Sequence, residues 1–224
     1  MRGKASRIWG LALVALMMVG ASPSPGPTAS AAPTAADILS RMVAARKGLD
    51  SYSVPVHFDV KMHRPLGVSM QLDGTRYFER PDKQALNMRS VPAAAKAFQQ
   101  MTASLGTAET WPNTYDITLV PPDPSAGYYE LKGAPKNSSS TVDHILIDVA
   151  KDTLAPIRAR WFYHNGSTID MTIENAMAGQ YLMPKTETLD LSFPSFAGHA
   201  VGHYGDYSLN QPIPASVWGQ KSGS

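Results

Sequence analysis

Several stretches of this chain alternate apolar and polar residues with a period of two, and this pattern constrains the fold most. Val54, Val56, Phe58, Val60 and Met62 alternate with Pro55, His57, Asp59, Lys61 and His63. Ile157, Ala159, Trp161 and Tyr163 alternate with Arg158, Arg160, Phe162 and His164. Ile169, Met171 and Ile173, and later Leu189, Leu191 and Phe193, repeat the motif. Successive side chains of a strand point to opposite faces, so each run is a strand with one dry and one wet face. Less regular strand candidates are Leu66–Glu79, Gln84–Val91, Thr114–Val120, Gly127–Lys132, Val142–Val149 and His199–Leu209. Connections are short: Asn165-Gly166 between two alternating runs predicts a type I′ hairpin.

Two segments read as helices instead. Thr34 can cap the first, with Asp37 three residues on, and Ile38, Met42, Ala45 and Leu49 share one face. Gly48 is its expected stop. The second is Pro92 to Leu105, with Ala94, Phe98, Met101 and Leu105 on one stripe. The fold class is therefore mainly β: one large antiparallel sheet of about ten strands, joined by two amphipathic helices. Such a sheet can close into a barrel, stay open over a cavity covered by the helices, or pack tightly on them; alternation alone does not choose.

The amino-terminal segment has the pattern of an export signal. Arg2, Lys4 and Arg7 precede an apolar run from Ile8 to Val19, and Ala29-Ser30-Ala31 fits a cleavage site before Ala32. That run is shorter than the roughly 20 residues a membrane span needs. Residues 1–31 are the expected signal peptide, 32–36 a linker, 37–218 one domain and 219–224 a disordered tail. Retention of the signal as an anchor is the alternative.

Composition removes several functions. The chain has no cysteine, so a disulfide framework, a thiolate nucleophile and a lipidated cysteine are excluded. The 20 basic and 18 acidic residues of the whole chain become 17 and 18 without Arg2, Lys4 and Arg7. A domain of net charge −1 lacks the basic stripe that binds phosphate backbones, so nucleic acid is not an expected partner. His199 and His203 have a spacing that would share a metal on a helix, but on a strand they stand roughly 13 Å apart. No H-E-x-x-H, G-x-S-x-G or phosphate-cradling glycine loop occurs. No cofactor is expected, and a metal hydrolase built on these histidines is a second alternative function.

Several motifs in order carry a family resemblance. Gly48-Leu49-Asp50-Ser51-Tyr52 follows the first helix, and Gly74-Thr75-Arg76-Tyr77-Phe78-Glu79-Arg80-Pro81-Asp82-Lys83 follows the first strand. Then come the Asn165-Gly166 hairpin, Tyr181-Leu182-Met183-Pro184, and Tyr204-Gly205-Asp206-Tyr207-Ser208-Leu209-Asn210 with Ile213-Pro214. This order resembles the LolA-like family, periplasmic carriers of outer-membrane lipoproteins and their relatives.

The resemblance implies an unclosed barrel of about ten to eleven strands, with helices as a lid over an apolar cavity. It also implies a lid-latching arginine at the position of Arg80, whose guanidinium fork suits helix-end carbonyls. The function implied is a non-enzymatic carrier, monomeric, periplasmic or secreted. It would shield acyl chains of lipoproteins or free lipids, taking them from an inner-membrane donor complex to an outer-membrane acceptor. Placed on the alternation, the expected cavity lining is Phe58, Val60, Met62, Trp161 and Met171 from strands, with Phe98 and Met101 from the second helix. An envelope-stress sensor of the same fold is the alternative.

Overall fold

Residues 32–64, 67–88, 106–121, 123 and 125–219 are described by the computed structural model. Helix α1 (Ala35–Ala45) opens the domain. Its capping box forms as the sequence predicts: Asp37 N–H donates to Thr34 Oγ1 at 3.2 Å, and Thr34 N–H donates to Asp37 Oδ2 at 2.9 Å. The backbone hydrogen bond from Thr34 lowers the Asp37 pKa. Ile38, Leu39 and Met42 form the buried stripe.

Three strands follow: β1 (Ser51–Arg64), β2 (Val68–Glu79) and β3 (Lys83–Met88). A single-turn helix α2 (Trp111–Thr114) leads into β4 (Tyr115–Leu119), β5 (Tyr128–Pro135) and β6 (Val142–Ala150). The chain continues through β7 (Pro156–Tyr163), β8 (Thr168–Ala178), β9 (Tyr181–Ser192) and β10 (Ala197–Tyr204). It ends with the short β11 (Ser208–Leu209) and the turn α3 (Ser216–Gly219). The expected strand from His199 to Leu209 is thus two strands. The expected helix from Pro92 to Leu105, the signal segment and residues 220–224 lie outside the described residues.

All strands belong to one antiparallel sheet of order β3-β2-β1-β10-β9-β8-β7-β6-β5-β4, with β11 paired to β1. The two ends of that order, β3 and β4, do not pair with each other, so the sheet is unclosed. Register carries one inner face across the whole sheet. Phe58 sits opposite Leu72 and Gly202, Met171 opposite Leu189, Trp161 opposite Ile169 and Ile145, and Ile147 opposite Leu131. The apolar phase of every alternating run lies on this face.

The β7–β8 hairpin departs from the expected type I′ turn. Gly166 N–H donates to the Tyr163 carbonyl at 2.9 Å, and Gly166 alone of the loop has a positive φ, +78°. The loop is the three-residue His164-Asn165-Gly166, a turn closed by a glycine bulge. Asn165 Oδ1 accepts from Ser167 N–H at 3.0 Å, which holds the asparagine in ordinary φ.

The interior has two apolar clusters. One lies along β1, β2 and β8–β10 and includes Val54, Phe58, Leu72, Leu189 and Ala200. The other joins Ile38, Leu39 and Met42 of α1 to Leu131, Ile145, Ile147 and Val149 of β5 and β6. Trp161 packs against both.

A candidate acyl-binding cavity beneath the first helix

Where the two clusters meet, side chains leave a cavity of about 170 Å³. α1 and its cap contribute Met42 and Arg46, β1 and β2 contribute Tyr52, Arg76 and Phe78, and β6–β8 contribute Ile145, Trp161 and Met171. Trp111 of α2 and Glu187 of β9 complete much of the wall. Of the residues expected from sequence, Trp161 and Met171 therefore face this space. Phe58 and Val60 share their face of the sheet but are 0% and 3% exposed inside the first cluster, and Met62 packs against that cluster. Phe58 is held there by Gly202 on β10: a Cβ on Gly202 would come within 2.6 Å of the Phe58 ring. Phe98 and Met101 lie outside the described residues.

The cavity wall also holds a buried polar cluster. Arg76 Nη1 donates to Glu187 Oε1 at 3.0 Å, and Tyr204 Oη donates to Glu187 Oε2 at 2.5 Å. The Arg76 guanidinium lies 5.2 Å above the Tyr204 ring. The side chains of Arg76 and Glu187 are 11% and 3% exposed. Burial is the largest single effect on Arg76 and opposes its charge, but Glu187, Tyr204 and Tyr52 together raise the pKa. Burial pushes the Tyr204 hydroxyl well above its usual value; Arg76 pulls it down and Glu187 up. Arg76 Nη2 is buried and has no hydrogen-bond partner among the described residues.

The strand alternation carries a signal for this cluster that the apolar pattern alone does not show. Arg76 falls in phase with Leu72 and Phe78, and Glu187 in phase with Leu189 and Leu191. A charge on the dry phase of an alternating strand must find a buried partner.

Arg80 stands at the rim, after β2. Its Nη2 donates to the carbonyl of Arg46, the residue that caps α1, at 3.2 Å. The same group pairs with Glu109 at 2.7 Å, and Arg80 N–H donates to the Asp50 carbonyl at 2.9 Å. Thr107 Oγ1 donates to the Pro81 carbonyl at 3.4 Å. The β2–β3 corner is thus tied to the end of α1 and to the segment entering α2. Gly48 follows α1 with φ +83°, as its expected role as helix stop requires.

His199 and His203 lie on the outer face of β10, which is an interior strand of the sheet and not an edge. His199 Nδ1 and Asp190 Oδ1 are 2.8 Å apart. Among the described residues no group of three His, Cys, Asp or Glu could hold a metal ion. Among them, too, no helix is long and apolar enough to cross a membrane.

Solved structures share this architecture. A DUF1329 family protein from Desulfovibrio piger superposes with a TM-score of 0.60 at 14% identity, covering 81% of this chain and 94% of that one. A putative outer membrane lipoprotein-sorting protein domain from Vibrio parahaemolyticus gives 0.56 at 12% identity, covering 80% and 94%. A LolA superfamily protein from Nitrosomonas europaea gives 0.54 at 16% identity, covering 84% and 98%. The fold is LolA-like. No protein-family model matches the sequence, and no curated protein does.

Proposed function

We propose that the chain is a non-catalytic carrier that holds an acyl chain in the cavity beneath α1 and moves it between membranes. The observation that carries this reading is the apolar hollow walled by Met42, Phe78, Trp161 and Met171 in a fold of lipoprotein-sorting type. A water needs roughly 10–15 Å³ of such space, so the hollow has room for on the order of ten water-sized groups, or a similar number of methylenes. At about 0.8 kcal/mol per CH₂, burying ten supplies roughly 8 kcal/mol. Association itself costs about 4–15 kcal/mol, so micromolar binding needs more of the chain to be buried than the resting hollow takes. Phe98 and Met101 are proposed to extend the wall; a longer chain would need the packing around Phe58, Val60 and Met62 to open.

In this reading the protein acts in the periplasm or outside the cell, reached through the amino-terminal signal. The cargo is the acyl part of a lipoprotein or a free lipid, taken from an inner-membrane donor complex and passed to an outer-membrane acceptor. Arg80 serves as the latch, since its guanidinium joins the end of α1 to Glu109. The delipidated chain should bind a fluorescent acyl probe at micromolar concentration, and Arg80→Leu should change the rate at which the probe leaves. Absence of probe binding in that range would remove the carrier reading.

A further inference from the structure

The charge around the cavity does not balance. Among the described residues, the charged side chains lining it and the small pocket beside it are Arg46, Arg76, Arg80, Glu109 and Glu187. Glu187 belongs to Arg76 and Glu109 to Arg80. At a distance each pair cancels, so Arg46 sets the sign of the field at the mouth. Arg46 caps α1, half-buried, with its guanidinium 5.6 Å from the Phe78 ring centre and its Nη2 4.0 Å from Met183 Sδ. Both contacts are uncharged. All 18 aspartates and glutamates of the chain lie among the described residues, and none is within ion-pair distance of Arg46. Residues 89–105 add Arg89 and Lys96 to the sequence and no acid.

A cation near the last turn suits the dipole of α1, which explains a positive residue there but not its position over the cavity. Phe78 lies two residues from Arg76 on the same face of β2, about 7 Å along the strand. Arg46 therefore stands one step above the buried cluster, toward the rim. Below it, Arg76 keeps a buried N–H donor without an acceptor among the described residues.

We infer that the cavity selects amphiphiles with a negatively charged head, and that Arg46 receives that head at the mouth while the acyl chain lies within. This rests on the carrier reading and adds the chemistry of its cargo. The head is a carboxylate or a phosphate, both of which an arginine binds through paired N–H groups.

The test is displacement of a fluorescent acyl probe from the full chain by laurate, dodecyl phosphate, dodecanol and dodecylammonium. The tighter of the two anions should bind about tenfold better than dodecanol at low salt, with dodecylammonium weakest. Raising the salt should narrow that gap. In Arg46→Met and Arg46→Gln the ratio of anion to alcohol affinity should fall to within about twofold. Preference for laurate would point to a free fatty acid, and preference for dodecyl phosphate to a phosphorylated lipid. Dodecanol equal to both anions in the unmodified chain would overturn the inference and leave the carrier standing. So would an anion advantage that survives in both Arg46 variants. If no amphiphile displaces the probe, inference and carrier reading fall together.

Discussion

Over β1 and β10, the Phe58 ring lies on Gly202 with no room for a methyl group between them. Across β6–β8, Ile145, Trp161 and Met171 of the same face leave a space of about 170 Å³ beneath α1. Both regions lie on the same apolar face of one antiparallel sheet. They differ in what stands opposite. In the filled region, β10 presents Gly198, Ala200 and Gly202, so large side chains from β1 settle onto small partners. In the hollow region Trp161 stands between Ile145 and Ile169 and Ala159 between Ile147 and Met171, and the Arg76–Glu187–Tyr204 cluster holds one wall with fixed hydrogen bonds. Interiors pack densely unless geometry prevents it. Here the small residues of β10 let one region fill, and a buried polar cluster walls the other.

The largest effect should come from cutting that cluster. Arg76→Met leaves Glu187 buried and uncompensated, so urea denaturation should show a loss of about 3–5 kcal/mol. Adding Glu187→Gln should recover most of it. A single-variant cost near zero would mean that the cluster does not hold the hollow wall.

Matched enlargements probe the two regions directly. Ala200 is fully buried in the filled region, and Ala159 lines the cavity. Ala200→Leu should destabilise by about 1–3 kcal/mol through overpacking. Ala159→Leu grows into existing space, so it should cost less than about 1 kcal/mol while weakening acyl-probe binding. Equal costs would erase the distinction between the regions.

The smallest effect lies on the outer face. His57 Nδ1 is 2.7 Å from Asp73 Oδ1 and has Asp59 nearby. The hydrogen bond to Asp73 raises the His57 pKa, against a lesser opposing effect of burial. A raised folded pKa favours the protonated form. Its contribution to stability is therefore complete below the unfolded value of about 6.5 and fades as pH rises through the folded value. An NMR titration should place His57 above that of an unfolded histidine, and Asp73→Asn should lower it. The cavity should be indifferent to the change, since the group lies on the wet face.

Much of the fold could be read from residues because alternation reports a local property, the side to which each side chain points. The capping box of Thr34 and Asp37, the strands, and the inner face containing Phe58, Trp161 and Met171 follow from neighbours in sequence. The division of that face into filled and hollow regions depends on pairs such as Phe58 with Gly202, far apart in the chain. The same is true of Arg76 with Glu187: each alone reads as an ordinary strand charge until its phase is counted. The Asn165-Gly166 turn shows a subtler limit. A type I′ turn and a three-residue loop with a glycine bulge share the same dipeptide and differ in where pairing resumes. Arg80 was singled out through family likeness; its contacts with Arg46 and Glu109 join segments that local pattern does not connect.

The order of the strands carries a consequence for how the molecule comes into being. β1 sits mid-sheet between β2 and β10, with Val56 opposite Tyr204. During synthesis its far edge stays bare until almost the entire polypeptide has emerged, and contacts this distant in sequence form slowly. An amino-terminal fragment cannot finish the central ladder by itself. The sheet is therefore completed only when the carboxyl-terminal strands arrive.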